Sequence, residues 1–239
     1  KKTEDMLWDM YKNSSNELDI IYESISDFKL DKEYDYIVNF AAESHVDNSI
    51  TAGDVFIDSN YVGVYELLKQ LSDSTRFLQV GTDEVYGSLD FNSDQFSEKF
   101  IPVVINKVRK NEKIPIYGKG ENMRQWIYVK DHCEKIFNVL QFGTSGEIYN
   151  LAPDYESECS NLEIVKLILS ELNASESLIS YVDDRKGHDL RYSLRDSGYR
   201  SMMIQQGAQL DLPGTEKTFA DDLRYTIMWY SENENWWSK

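Results

Sequence analysis

A hydroxyl and two adjacent carboxylates follow a short apolar stretch of this chain. Residues 76–80 have the pattern of a buried parallel strand, and Thr82, Asp83 and Glu84 come directly after Gly81. In open α/β sheets, ligands bind at the carboxyl ends of strands. Because neighbouring carboxylates cannot both ionise freely, one is expected to keep its proton near neutrality while the other acts as a base. This pair suits the elimination of water beside a carbonyl; the alternative is a strand cap whose carboxylates only bond the turn.

Composition narrows the class of protein. The 239 residues suffice for one large domain or two closely packed lobes, and 42 acidic against 25 basic residues give a formal net charge of −17. This charge argues against nucleic acid and anionic membrane surfaces as partners. With no long apolar run and no leader pattern, we expect a cytoplasmic protein with no membrane association. Cys133 and Cys159 are expected to be reduced thiols, and the three scattered histidines predict no metal site.

Alternating apolar and amphipathic segments predict an α/β fold with a parallel sheet. The predicted strands are residues 18–22, 36–42, 77–80, 114–117, 148–151 and 179–182. The predicted helices are residues 55–71, 99–110, 129–140, 161–172 and 219–230. Asn161 is predicted to cap the fourth of these helices at its N-terminus.

Six short motifs occur in an order that resembles one family. They are Asn39–Asp47, Thr82–Gly87, Glu98–Pro102, Ile116–Gly118, Arg124–Val129 and Asp184–His188. Together they resemble the dTDP-glucose 4,6-dehydratases of the extended short-chain dehydrogenase/reductase superfamily. The resemblance implies a Rossmann-like doubly wound parallel sheet, incomplete here, in an NAD-binding portion over residues 1–98. It also implies a smaller C-terminal α/β lobe over residues 99–239 that binds a nucleotide-diphosphate sugar, and a homodimer.

The resemblance also assigns roles to individual residues. Thr82 would bond the sugar O4, Asp83 would be the acid that assists the leaving hydroxyl, and Glu84 would be the base that removes the C5 proton. The cofactor contacts would be Ile25, Phe40, Ala41, Ala42 and Ser59. The substrate contacts would be Ser44, Pro115, Ile116, Tyr117, Arg124, Asn161, Arg185 and His188. Each has a structural alternative, such as stacking of Arg124 on Trp126 or a solvated turn around Arg185.

Two parts of the family pattern are absent from this sequence. No Gly-x-x-Gly-x-x-Gly turn follows a first strand, and no Tyr-x-x-x-Lys pair follows Tyr86. The strand at residues 77–80 also lacks its next neighbour, which would fall between Leu89 and Phe91. We therefore predict that stretches of a larger protein are missing here. The alternatives are a nucleotide-sugar-binding protein without catalysis and a sister enzyme such as an epimerase. Asp83 distinguishes a dehydratase of this family from such a sister enzyme, because related epimerases, decarboxylases and GDP-mannose dehydratases carry Ser at this position.

Overall fold

A computed structural model describes residues 21–43, 53–81, 100–184, 191–208 and 218–234. The chain divides into two compact units, each formed by separate stretches of sequence. The first unit holds residues 1–35, 41–75 and 229–239, and the second holds residues 36–40 and 76–228. The domain boundary predicted between residues 98 and 99 lies outside the described residues and stays a prediction.

One long helical stretch dominates the described part of the first unit. Helix α1 (Gly53–Ile57) and helix α2 (Val64–Leu68) are joined by a π-helical segment, Asp58–Gly63. This confirms the helix predicted from the spacing of apolar residues over 55–71. The strand predicted at 18–22 is not formed at Ile21 and Tyr22, and its other residues lie outside the described ranges.

Two parallel strands of the second unit lead to the predicted catalytic motif. Strand β1 (Tyr36–Asn39) pairs with strand β2 (Arg76–Gln79), with Tyr36 opposite Arg76 and Asn39 opposite Gln79. Parallel strands require a long crossover, and the 36 residues between them contain α1 and α2. The α/β prediction is therefore confirmed at this pair of strands.

The main core of the second unit lies between two helices and a strand. Helix α3 (Phe100–Arg109) packs on strand β3 (Ile114–Tyr117) and on helix α5 (Asn161–Glu171). Its fully buried side chains are Val104, Ile105, Ile114, Ile116, Ile164, Val165, Ile168 and Leu169. Strand β6 (Ile179–Val182), which follows a 3₁₀ turn at Glu176–Leu178, pairs in parallel with β3. This core holds the start of α5 and the end of β3 in fixed positions.

A second small sheet and two further helices complete this unit. Strand β4 (Met123–Gln125) lies between the antiparallel strand β5 (Glu158–Ser160) and the parallel strand β7 (Arg191–Tyr192). Helix α4 (Val129–Phe142) packs on helix α6 (Ser197–Gln205). Val139, Tyr199 and Met202 form a buried cluster between them.

The last helix, α7 (Phe219–Glu232), buries Asp222, Leu223 and Ile227. Its Arg224 Nε lies 2.7 Å from Glu171 Oε1 at the end of α5. Among the described residues, every helix is too short or too polar to cross a membrane. The strand predicted at 148–151 is not formed, because no neighbouring strand pairs with it in the described residues.

Candidate functional site

The carboxyl end of β2 opens into a cavity of about 720 Å³. Gly81, which lines this cavity, is the residue directly before the predicted catalytic residues Thr82, Asp83 and Glu84. The Val80 amide donates a 3.0 Å hydrogen bond to the carbonyl of Asn39, so the parallel pairing continues to the point where β2 ends. Thr82, Asp83 and Glu84 themselves lie outside the described residues. Their catalytic roles therefore stay predictions.

A histidine that the sequence did not single out lines the same cavity. The Nδ1 atom of His132 is buried and has no hydrogen-bond partner among the described residues. Burial, and next the positive charge of Lys135, hold the pKa of His132 below its ordinary value of 6.5. The imidazole is therefore neutral at pH 7.

Three of the predicted substrate residues lie on strand β3. Ile114 and Ile116 point into the core, whereas Pro115 is exposed and Tyr117 is half-buried. Because Ile116 is only 1% exposed, its side chain belongs to the core and its main chain alone is available to a ligand. Pro115 and Tyr117 are therefore the two side chains of this strand that remain candidates for a pocket wall.

A tight glycine turn brings the end of β3 to the start of α5. Gly118 and Gly120 have φ angles of +55° and +73°, which favour glycine. A Cβ atom at Gly120 would lie 3.0 Å from the Leu162 Cβ, so only glycine allows this close approach. The Gly120 amide donates to the Tyr117 carbonyl at 2.9 Å, and the Leu162 amide donates to the Gly120 carbonyl at 3.1 Å.

Asn161 and Arg124 are brought together by the pairing of β4 with β5. Met123 lies opposite Ser160, and the Asn161 amide donates to the Asn122 carbonyl at 3.0 Å. The half-buried Arg124 donates from Nη1 to the Met123 carbonyl at 2.7 Å. Tyr117 and Asn161 therefore lie at the two ends of this turn, and whether Pro115 and Arg124 join them in a nucleotide pocket stays a prediction. The Trp126 ring stacks on Phe100, with ring centroids 6.3 Å apart.

The prediction that Asn161 caps helix α5 is wrong, because Ser160 is the cap. The Ser160 Oγ accepts from the Glu163 amide at 3.2 Å, and the Glu163 carboxylate accepts from the Ser160 amide at 2.7 Å. This reciprocal capping box holds the pKa of Glu163 below its usual value. The Asn161 side chain is therefore not needed to cap the helix.

Residues 185–190, which contain the predicted contacts Arg185 and His188, lie outside the described residues, and of the two flanks of this stretch Asp184 lies at the glycine turn. Asp184 contacts Gly118: a Cβ there would lie 3.0 Å from the Asp184 Oδ2. On the other flank, Arg191 lies opposite Met123 in strand β7 and forms a two-bond ion pair with Glu158. That guanidinium holds the pKa of Glu158 below its usual range.

In the first unit, the segment Asp58–Gly63 forms hydrogen bonds with two loops that contain predicted cofactor contacts. The Asn60 amide group bonds both main-chain groups of Glu43, at 2.7 and 2.9 Å, and so fixes Ala41 and Ala42 just before it. The Ser26 hydroxyl donates to Asp58 at 2.9 Å, directly beside Ser59. π-Helical insertions are frequent at functional sites.

The side chain of Ile25 lies so close to Gly63 that any Cβ at this position would clash with it. Ile25, Ala41, Ala42 and Ser59 therefore lie along one helical segment. Their small or apolar side chains and one hydroxyl fit the flat rings and ribose of a dinucleotide, but the described residues contain no glycine-rich turn for its pyrophosphate. In the second unit, Phe40 follows β1 and is 60% exposed. Ser44 lies outside the described residues.

A buried charge network joins helices α4 and α6 behind the cavity. The Lys135 side chain is 4% exposed, and its Nζ lies 2.8 Å from Asp154 Oδ1 and 3.3 Å from Asp196 Oδ2. Arg200 bonds both carboxylates, at 3.1 and 2.9 Å. Two cations and two carboxylates thus neutralise each other, as buried charges require. This network was not predicted from the sequence, because no local spacing links Lys135 to Asp196. Asn60 and His132 were not predicted either.

The chain is similar to known protein families and to known sequences. The model of the GDP-mannose 4,6 dehydratase family matches residues 7–95, and that of the NAD dependent epimerase/dehydratase family matches residues 90–152. A dTDP-glucose 4,6-dehydratase of Actinoplanes sp. is 33% identical over 253 aligned positions, which cover 86% of this chain and 76% of the relative. A dTDP-glucose 4,6-dehydratase of Escherichia coli is 32% identical and covers 86% and 75%.

Solved structures give the same result. The dTDP-glucose 4,6-dehydratase DesIV of Streptomyces venezuelae, with NAD and TYD bound, has a TM-score of 0.69 at 34% identity, over 85% of this chain and 75% of that one. A UDP-glucose 4-epimerase of Thermotoga maritima, with a TM-score of 0.72 at 15% identity over 98% and 95% of the two chains, shares the fold alone.

The fold and the end of β2 define a Rossmann-type protein of the NAD-dependent epimerase/dehydratase class, as the sequence predicted. Within that class, the family is shown by the sequence identity of 33% and 32% to two dTDP-glucose 4,6-dehydratases. The chain belongs to the dTDP-glucose 4,6-dehydratase family.

Proposed function

We propose that this protein is an NAD-dependent dTDP-glucose 4,6-dehydratase, a lyase that forms the 4-keto-6-deoxy sugar. The observation that carries this proposal is the position of Asp83 and Glu84, which follow β2 at the carboxyl end of a parallel strand pair. The Actinoplanes relative, which this chain covers over 76% of its length, is a dTDP-glucose 4,6-dehydratase, and the DesIV structure contains NAD. The presence of Asp83, where epimerases carry Ser, supports dehydration rather than epimerisation.

NAD, when bound, would supply the hydride acceptor for oxidation at C4 and the hydride donor for the later reduction at C6, where the electron pair of the C5–C6 double bond then takes up a proton at C5. Ala41, Ala42, Ile25 and Ser59 are proposed to hold the cofactor in the first unit, and Phe40 in the second. The Thr82 hydroxyl donates a hydrogen bond to the sugar O4 and so polarises the C4 carbonyl once it has formed.

The elimination step is assigned to the two carboxyl groups. With the C4 carbonyl in place, Glu84 takes the proton from C5, and the electron pair of that C–H bond forms the C5–C6 double bond. The C6–O bond breaks, and Asp83 gives its proton to the departing hydroxyl, which leaves as water. This division requires Asp83 to be protonated while Glu84 is ionised, as expected for adjacent carboxyl groups.

The nucleotide diphosphate is proposed to bind at the turn between β3 and α5. An anionic ligand on a chain with a net charge of −17 requires local cations. Arg124, together with Arg185, supplies guanidinium groups suited to phosphate oxygens. Asn161, His188, Pro115 and Tyr117 are proposed to surround the base and ribose, Ile116 to contribute its main chain, and Ser44 to contact the sugar.

A homodimer in the cytoplasm is also proposed. The two thiols of the described chain, Cys133 and Cys159, are free, which accords with a reducing compartment. No Tyr-x-x-x-Lys pair follows Tyr86 to act as the base for the C4 hydroxyl; Tyr65 and Lys69 have this spacing but belong to the helical stretch before β2. We therefore propose that a stretch of polypeptide beyond this sequence supplies it.

The test compares two separate incubations with dTDP-glucose and NAD. One contains the protein at its natural length, and the other contains this chain. The 4-keto-6-deoxy product, detected by its absorbance in alkali, is expected from the natural-length protein. This chain is expected to bind dTDP in a calorimeter without turnover. If the natural-length protein binds dTDP but never forms a keto sugar, it is a binding protein and the proposal is wrong.

A further inference from the structure

Strand β4 carries Arg124, the proposed diphosphate contact, at the centre of a three-stranded sheet. Arg124 lies opposite Cys159 of β5 on one side and opposite Tyr192 of β7 on the other. Each of the three strands has only two or three residues. Strands this short provide few ladder hydrogen bonds, so side chains must contribute to holding β4 between its neighbours.

An ion pair joins the two outer strands across one face of β4. Glu158 of β5 lies opposite Gln125. Arg191 of β7 lies opposite Met123. Side chains opposite each other share a face of a sheet, and successive side chains of one strand alternate between the two faces. Glu158 and Arg191 therefore share one face of this sheet, and Arg124 is on the other.

The geometry of this ion pair fixes the outer strands relative to each other. The Arg191 guanidinium donates from Nε and Nη2 to the two carboxylate oxygens of Glu158, and the second bond is 2.9 Å long. A planar two-bond pair has one preferred geometry, which a lysine ammonium would not impose. The Arg191 side chain is 66% exposed, so the pair contributes little to the free energy of unfolding. Its main effect is on the position of the strands.

A second side chain on the same face connects β4 to the chain that follows β7. The Gln125 Oε1 atom accepts a 2.9 Å hydrogen bond from the Leu194 amide. Strand β7 is therefore held by Glu158 at its first residue, Arg191, and by Gln125 two residues after its last. Both contacts act on β4 or cross it, and β4 is the strand that contains Arg124.

We infer that Glu158 and Arg191 are positioning residues of the nucleotide site, which hold β4 so that Arg124 meets the diphosphate. This inference rests on the proposed function, because it requires Arg124 to be a diphosphate contact. Neither Glu158 nor Arg191 needs to touch the nucleotide, since their side chains bond each other on the opposite face of the sheet. Loss of the pair should weaken the binding of ligands that carry a diphosphate and spare the binding of the nucleoside.

The experiment compares dTDP with thymidine, which has no diphosphate, on the natural-length protein. Arg191→Met and Glu158→Gln each break the ion pair. Both are expected to raise the Kd for dTDP by about three- to thirtyfold, the range for residues that act on a ligand through other side chains. The Kd for thymidine should not change. Calorimetry measures the first Kd, and a nuclear magnetic resonance titration measures the second.

A matched control is provided by a second exposed ion pair. Arg224 of α7 pairs with Glu171 at the end of α5, and its side chain is 49% exposed. Arg224→Met removes the same kind of group from the same kind of contact, and it is expected to leave both Kd values unchanged. Denaturant unfolding midpoints close to that of the unmodified protein show that each variant is folded.

Exchange of the two charges tests whether the pair acts as a unit. In the double variant Glu158→Arg, Arg191→Glu the ion pair can form again, and the Kd for dTDP should return to within about threefold of the original value. Arg191→Lys keeps the charge but not the two-bond geometry, so its Kd for dTDP should stay raised. With dTDP-glucose as substrate, the single variants should raise KM and leave kcat nearly unchanged, because the groups that act on the sugar are untouched.

Three results would overturn the inference. Unchanged dTDP affinity in Arg191→Met would show that the pair does not position Arg124. An equal loss of thymidine affinity would show a general structural role. Weaker dTDP binding in Arg191→Met but not in Glu158→Gln would make Arg191 a direct phosphate contact. If the unmodified protein binds no dTDP, the proposed nucleotide site is wrong as well, so the two failures are distinguishable.

Discussion

Asp83 and Glu84 are neighbours with different proposed catalytic roles, and a single isosteric substitution tests one role without removing the other. Asp83→Asn removes the proton donor for the leaving hydroxyl but leaves the oxidation of C4 untouched. A positioned general acid contributes roughly 10²–10⁴-fold. We expect dehydration by the natural-length protein to fall by about that factor, with 4-keto-glucose nucleotide accumulating, as measured by mass spectrometry. Asp73→Asn, in an exposed turn, is the control; wild-type dehydration by Asp83→Asn would refute the role of the acid.

Asn161 and Ser160 are adjacent, and the structure gives them separable roles. Ser160→Ala removes the capping box of α5 and should cost about 1 kcal/mol of unfolding free energy, with dTDP affinity retained. Asn161→Ala should change stability by less than about 0.5 kcal/mol and weaken dTDP binding. Denaturant titration and calorimetry measure the two quantities. An Asn161→Ala protein with unchanged affinity would show that Asn161 is not a ligand contact.

His132 predicts a pH dependence of stability. Because its folded pKa lies below the unfolded value of 6.5, mainly through burial and then through Lys135, the unfolded chain binds more protons between the two values. The contribution of neutral His132 to the free energy of unfolding is therefore complete above pH 6.5, and it is lost as the pH falls towards the folded pKa. His132→Gln should flatten this part of the stability curve, measured by denaturant unfolding from about pH 7.5 to about pH 5. An unchanged slope would contradict this assignment.

At the scale of elements, helices α4 and α6 depend on the network of Lys135, Arg200, Asp154 and Asp196. Asp196 is 8% exposed, and Asp154 is 49% exposed. Removing one partner from a buried ion pair leaves an uncompensated charge and costs about 3–5 kcal/mol. We expect this loss for Asp196→Ala and a smaller one for Asp154→Ala, whose site remains open to water. Equal stabilities of the two variants in guanidinium would contradict the buried network.

The elements that could be predicted from sequence are those with sustained periodicity. Strands β3 and β6 were predicted with their exact bounds, and α3 and α4 within two residues at each end. Strands β4, β5 and β7 have two or three residues each, too few for an alternating pattern to appear. Helix α6 was missed as well, since Gly198 and few apolar residues weaken its signal.

Two predictions were wrong, the Asn161 cap and the strand at residues 148–151. In both cases the sequence shows only part of the physical cause. Both Ser160 and Asn161 are good capping residues, and the Glu163 three positions after Ser160 selects Ser160. Residues 148–151 have strand-forming side chains, but no strand pairs with them among the described residues.

At the scale of the molecule, the turn between β3 and α5 is where some of the candidate substrate residues lie in the second unit. Tyr117 begins this turn, the Asn161 amide bonds Asn122 directly after it, and Asp184 contacts Gly118 within it. That the substrate residues named by the ordered motifs form one nucleotide pocket stays a prediction. The buried position of Ile116 and the role of Asn60 required coordinates, because both depend on contacts between distant segments.

The most direct test of the account is the mass of the nucleotide sugar after incubation of the natural-length protein with dTDP-glucose and NAD. A 4,6-dehydratase gives a product lighter than the substrate by one water molecule in H₂O, and in D₂O the same product carries a deuteron at C5. A recovered sugar of unchanged mass, whether untouched substrate or its epimer, would contradict the assignment of Asp83 and Glu84 as the acid and base of a dehydration.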